Sequence, residues 1–259
     1  SYKLGINTRW QESYFAFDHD QQPMTNANVT ISFADLTYAQ PIVLPHPIDT
    51  NLYYIITGFD KGLQYSMVDL RLRNGKGDIN PQYKLIRIIP NGTLIGQRIT
   101  TATSCDGVWL LVHQGDSNQI LRIKIDKAGI HPPISQMASL AFTPRDYHTS
   151  GQLVGNMSAS PDGKLLAICS DKGVELFEIE PCSGLIKNGR LIDTTTSYSA
   201  CFSPDNTKLY VTQHNNTNGY IDNTAIVQWD VTDPTLINIQ QSKSIILINS
   251  IYYWPYSNI

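Results

Sequence analysis

Between positions 156 and 180 the chain reads NMSASPDGKLLAICSDKGVELFEIE, in which short apolar runs and turn residues alternate at the spacing of strands rather than helices. Residues 165–169 (LLAIC) contain no polar side chain, the pattern of a strand covered on both faces. Just before them Ser160-Pro161-Asp162-Gly163 predicts a β-turn: Pro161 pre-sets φ at the first central position, and Asp162 and Gly163 tolerate the tight geometry that follows. Asp171-Lys172-Gly173 predicts a second turn and residues 174–180 a third strand. One such unit cannot bury its own faces, so it should recur.

A second copy, SPDNTKLYVTQH, begins at Ser203, and after a polar loop residues 226–231 place Val227, Trp229 and Val231 on one face. Asp205 follows Asp162 by 43 positions, within the range of four-stranded propeller blades. Weaker copies lie upstream. Cys105-Asp106-Gly107 precedes strand-like residues 109–113 and 120–125, where Leu121, Ile123 and Ile125 alternate with Arg122 and Lys124, and Asp49-Thr50-Asn51 precedes 52–57 and 63–70. The expected fold is all-β, a β-propeller of four-stranded antiparallel blades, in a single domain over residues 1–259. Four blades are expected at about 39–97, 98–142, 153–193 and 196–248, the outer strand of the first near 83–89. Residues 1–38 resemble the outer half of another blade, and the aromatic tail 250–259 stops where a further inner strand would begin. Joining those two ends gives about five blades, since closure removes unpaired edges; the other expectation is a piece of a larger ring. No stretch shows sustained helical periodicity.

Composition narrows the setting. Charged residues make up 16% of the chain, against roughly 25% in an average domain, and Asn, Thr, Ser, Gln and Tyr carry the polar share, a balance that suits an extracytoplasmic protein. A net charge of -3 offers no basic footprint for a nucleic-acid backbone. No apolar run reaches the roughly 18 residues of a membrane span. No charged and apolar leader precedes Ser1, so a signal peptide is expected to be absent or already removed. Cys105, Cys169, Cys182 and Cys201 lack metal-ligand spacing and are too few for a disulfide framework in so long a chain. Cys169 and Cys201 fall in apolar inner strands and read as buried free thiols in preference to a bridge.

With these residues in view, the chain resembles the WD40-like, YVTN-type β-propeller domains of large secreted Bacteroidetes proteins that often carry gliding or type IX secretion sorting domains. NLYYIITG from Asn51, LQYSMVDLRL from Leu63 and NGKGDI from Asn74 are similar to that family's NLYY strand, YSxVD strand and GxGD loop, and HDQQPM at 19–24 fits the segment before them. SPDGKLLA and SPDNTKLY are shared by propellers of many functions. The resemblance covers most of residues 14–230. It implies six or seven blades in the parent ring and an extracellular or cell-surface setting, and it brings no catalytic residues with it.

Propellers bind ligands on loops that join the second strand of a blade to the third and one blade to the next. By that rule His113, Asp116, Arg145, Asp146, His148, Tyr198, His214 and Asp222 are candidates for one rim. Histidines at a rim suit a transition metal, but these lack short spacing and solvated loop histidines are the plainer reading. Asp146 or His148 beside Arg145 would suit a lactonase-like or metal-assisted hydrolase, the Arg polarising a carbonyl; a turn whose charges face water is the alternative. No cofactor is expected; calcium is the one the oxygen-rich loops at Asp78 and Asp222 would suit, though their carboxylates are few. Sequons at Asn28, Asn91, Asn156 and Asn215 carry no weight in a bacterial chain. Tyr147, Tyr198, Tyr220, Trp254 and Tyr256 fall in predicted loops or the tail, where aromatic rings stack on sugars or anchor interfaces; Trp109 and Trp229 fall in strands and are expected in the core. There is no GxSxG elbow, P-loop or HExxH. The expected function is a non-catalytic surface module that binds a protein or glycan as a monomer, without nucleic acid or a membrane span. A hydrolase at the channel mouth and a structural spacer are the alternatives.

Overall fold

The computed structural model describes residues 10–14, 16–18, 20–32, 41–59, 62–89, 95–114, 117–137, 155–217 and 220–249. The chain forms two compact units, residues 1–95 and 96–259. In the first, β1 (Trp10–Tyr14) pairs antiparallel with β2 (Asn28–Ser32). The first blade follows as β3 (Ile42–Pro45), β4 (Leu52–Phe59) and β5 (Gly62–Asp69), with an outer strand in two pieces, β6 (Asp78–Ile79) and β7 (Ile86–Arg87), both paired to β5. The outer strand therefore starts earlier than 83, inside the loop that the glycines of GKGDINP suggested. Between β5 and β6 the single turn α1 (Leu72–Gly75) holds Arg73 and Asn74 at φ +53° and +57°.

The second unit contains three blades. The second blade is β8 (Ile95–Thr103), β9 (Gly107–Gln114) and β10 (Gln119–Asp126), with β11 (Gly129–Ile130) and β12 (Ile134–Met137) both on β10. The third is β13 (Met157–Ala159), β14 (Leu165–Ser170), β15 (Gly173–Ile179) and β16 (Ile186–Asp193), in that spatial order. The fourth is β17 (Ser197–Phe202), β18 (Lys208–Thr217), β19 (Tyr220–Asp230) and β20 (Ser244–Asn249), with the short helix α2 (Leu236–Gln241) before β20. Six residues are too few for a helical period to show in the sequence. All five sheets among the described residues are antiparallel, and four of them are the blades of a β-propeller.

The polar-free run at 165–169 is covered on both faces. Leu166 and Ile168, with Phe177 and Ile179, pack against Trp109, Leu111 and Ile120 of the second blade. Ala167 and Cys169, with Val174 and Leu176, pack against Leu209, Val211, Val227 and Trp229 of the fourth. Trp109 and Trp229 are buried, as their strand positions predicted. Each fully buried aliphatic or aromatic side chain contributes roughly 1.5–3 kcal/mol, so these contacts dominate the adhesion of one blade to the next.

The predicted turns do more than reverse the chain. Ser160 Oγ donates to Asp162 Oδ1 at 2.7 Å and accepts from the Leu165 amide at 2.9 Å. Its counterpart Ser203 donates to Asp205 Oδ1 and accepts from the Lys208 amide. At Gly163, φ is +72° and an added Cβ would lie 2.5 Å from the Thr103 carbonyl oxygen of the preceding blade. The bend is therefore pressed onto its neighbour, and glycine serves the contact as well as the turn.

The cysteines depart from the sequence reading. Cys105, in the β8–β9 turn, is bonded to Cys182, in the β15–β16 turn, with Cα atoms 5.0 Å apart. Trp109 Nε1 donates to the Pro181 carbonyl at 2.8 Å beside it. Cys169 is a buried free thiol as expected, but Cys201 is exposed. Cys201 lies opposite Tyr210 across β17 and β18, so it shares the face of the fourth blade turned away from the third.

Candidate functional site

Two of the predicted rim residues meet at one end of the fourth blade. Ser197 is buried, its hydroxyl donating to the Thr195 carbonyl at 2.8 Å. A register shift between Ser197 and Ser199 follows, the kind of bulge that re-aims a side chain, and Tyr198 is left 49% exposed. Its ring meets the His214 ring edge-on, with centroids 5.9 Å apart. The His214 amide donates to the Thr196 carbonyl at 2.9 Å, and its Nδ1 lies 3.1 Å from Thr224 Oγ1. Partial burial lowers the His214 pKa, which favours a neutral ring at neutral pH. Thr196 Oγ1 donates to the Asp171 carbonyl in the β14–β15 turn at 3.1 Å, tying this end of the third blade to the fourth. The result is an exposed phenol set against an imidazole, with Ser199 and Thr212 paired on the adjacent rung and the Asp171–Lys172 ion pair in the turn that Thr196 bonds to.

His113 lies elsewhere. It sits in β9 opposite Ile120, fully buried, so it is part of the sheet and not of a solvated rim. Desolvation, and secondarily the charge of Arg98, pull its pKa down to about 3. Arg98, also buried, donates from Nε to the Cys169 carbonyl at 3.0 Å. Burial pushes the Cys169 thiol up to about 12. These groups are held neutral or satisfied inside the stack. Arg98 was missed because IGQRITTAT alternates, which reads as a half-solvated strand, and no feature of that pattern signals a neighbour on the polar side. Asp116, Arg145, Asp146 and His148 lie outside the described residues, as do Tyr147, Trp254 and Tyr256. Asp222 and Tyr220 lie within β19, where only the backbone is described. Among the described residues no group of three or more His, Cys, Asp or Glu could hold a metal ion.

The segments that carry the family resemblance meet in the first unit. Asp78 is buried and accepts from the Asn26 amide at 3.0 Å, from Asn26 Nδ2 at 3.1 Å and from its neighbour Ile79 N–H at 2.9 Å. Arg73 Nη1 lies 3.3 Å from Asp18 Oδ2, and Lys76 Nζ 2.9 Å from Asp20 Oδ2. The carboxylate suggested for calcium is thus engaged in clamping one loop onto another. Asn156, flagged only as a sequon, bridges inner strands: Oδ1 accepts from the Ala200 amide at 2.8 Å and Nδ2 donates to Ser199 Oγ at 3.2 Å.

Neither any protein-family model nor any curated protein matches the chain in sequence. Solved structures do match in fold. A protein from Bacteroides fragilis described as a candidate 6-phosphogluconolactonase superposes with a TM-score of 0.55 at 14% identity, covering 93% of this chain and 65% of that one. Its counterpart from Bacteroides uniformis gives 0.51 at 14% identity, covering 95% and 65%. The Cps50 (Swd1) β-propeller domain of Myceliophteria thermophila gives 0.44 at 12% identity, covering 85% and 61%. The chain spans about two thirds of the length of these proteins or less, and likeness at such identities is likeness of fold.

Proposed function

We propose that this chain is a non-catalytic propeller module that binds a partner outside the cytoplasm, with the patch around Tyr198 and His214 as its contact surface. The observation that carries the reading is the tyrosine itself: a bulge presents it to solvent, and its ring meets that of His214 edge-on. An exposed aromatic face with polar neighbours suits a sugar ring or a small protein epitope. The Cys105–Cys182 bond supports an extracellular or cell-surface setting, because structural disulfides persist in oxidising compartments.

Binding of the purified chain to a glycan array, followed by calorimetry on the best ligand, tests this. Tyr198→Ala should weaken binding by roughly tenfold or more and leave the melting temperature unchanged. The alternative, lactone hydrolysis with Arg145, Asp146 and His148, predicts turnover of a lactone panel that Tyr198→Ala preserves and His148→Ala abolishes. That outcome would replace the binding reading.

A further inference from the structure

We propose that the outer edge of the fourth blade is a self-association surface, with β20 of one copy pairing antiparallel with β20 of a second. The spatial order β17-β18-β19-β20 leaves one side of β20 without a strand partner among the described residues. Its sequence, SIILIN, has no charge, proline or glycine. Ile245, Ile246, Leu247 and Ile248 are 60%, 55%, 53% and 59% exposed. An edge of unpaired N–H and C=O groups flanked by aliphatic side chains is a template for another strand.

The other blades protect this position. In the first and second, the outer strand is broken into the short pieces β6 with β7 and β11 with β12. In the third, β16 carries Lys187 and Arg190, places Asn188 at φ +53°, and pairs with β15 through two register shifts. Short strands, charges and bulges are the usual means of blunting an edge; β20 carries one register shift against β19 but has no charge and is not broken into pieces.

The register of β20 selects a second copy as the occupant. Ile245 lies opposite Val227 and Ile248 opposite Ala225, two positions on one face of β19. The shift between Ile226 and Val227 places Ile246 and Leu247 together on the other face, with Leu247 opposite Ile226, and the positions of Ser244 and Asn249, opposite Gln228 and Thr224, also fall there. Read in either direction, β20 therefore presents its faces in the same sequence. A twofold axis between Ile246 and Leu247 then sets Ile245 against Ile248 of the partner subunit and Ile246 against Leu247 of the partner subunit, with every opposed pair on a common face. A closed, isologous dimer satisfies both edges at once.

Sedimentation velocity of the whole chain over a wide concentration range should show a reversible monomer–dimer equilibrium. Ile246→Lys combined with Leu247→Lys should weaken it by roughly a hundredfold, since like charges would face each other across the axis, with circular dichroism unchanged. Amide hydrogen exchange on the unmutated chain gives a readout that needs no variant: protection at 244–249 should rise with concentration. A chain that stays monomeric, a dimer whose β20 amides exchange equally fast at all concentrations, or open-ended aggregates would each overturn the proposal.

Discussion

Asn206 Oδ1 accepts the backbone N–H of Asp162 at 2.9 Å. The two residues occupy the Ser-Pro-Asp bends of consecutive blades, so each bend is both a turn and half of a latch. On the far side, Thr103 Oγ1 donates to the Pro161 carbonyl at 3.3 Å, which extends the series to a third blade.

Asn206 holds φ at +63°, so its replacement separates two effects. Asn206→Gly keeps the backbone accessible and loses the hydrogen bond, at about 0.5–1.5 kcal/mol. Asn206→Ala adds the left-handed penalty, about 1–2 kcal/mol more. Urea unfolding of both variants should rank them in that order, and equal stability of Asn206→Gly and the unmutated protein would show the latch to be without weight.

Gly163→Ala should be strongly damaging for a single added methyl group. The new Cβ would meet the Thr103 carbonyl oxygen at 2.5 Å with φ fixed at +72°, and a backbone atom cannot step aside as a flexible side chain can. A loss of roughly 2–4 kcal/mol is expected, read from the denaturation midpoint. A neutral result would mean that the second and third blades are not held this closely.

The Cys105–Cys182 bond closes a sequence separation of 77 residues, for which the chain-entropy account gives about 4.5 kcal/mol of stabilisation. Replacing both cysteines with serine should lower the melting temperature. Reductant should lower that of the unmutated protein by a similar amount and leave the variant unmoved. Equal melting of the oxidised and reduced protein would count against the bridge as a staple.

Acid should weaken the fold before the carboxylates titrate. The folded His113 pKa is about 3 while an unfolded histidine titrates near ~6.5. Between those values the unfolded chain binds a proton that the folded chain refuses. Stability is therefore fully present above about 6.5 and declines as pH falls toward about 3; His214, lowered by its own burial, adds a smaller effect of the same sign. Carboxylates held low by hydrogen bonds and cations, such as Asp69 and Asp126, add their losses only below about 4. Melting temperatures between about pH 7 and 4.5 should fall in the unmutated protein and fall less in His113→Gln. Parallel slopes would show that His113 is not the group responsible.

Local chemistry was legible where a residue's role depends on its own neighbours in the chain. Ser160, Asp162 and Gly163 announce a bend because proline, a short hydrogen-bonding side chain and a missing Cβ each restrict or free the adjacent backbone, and the bend is there. The unbroken LLAIC run announced burial on both faces, and the third blade is covered on both. The candidate site was legible only in part. Tyr198 and His214 were both singled out, but what joins them is the register shift at 197–199, which depends on how β17 pairs with β18. His113 closes the strand expected at 109–113, and that end position suggested a solvated rim, where the sheet instead continues to Gln114 and buries it.

By itself the sequence determined the strand-turn-strand rhythm, its repetition and hence the blade, because backbone preference and side-chain period act within a few residues. Only the tertiary structure decided that Cys105 meets Cys182, that Arg98 and His113 share the interior, that a tyrosine is turned outward beside a histidine, and that β20 is an edge strand among the described residues. Those facts depend on which strand lies next to which, and packing between residues tens of positions apart sets that order.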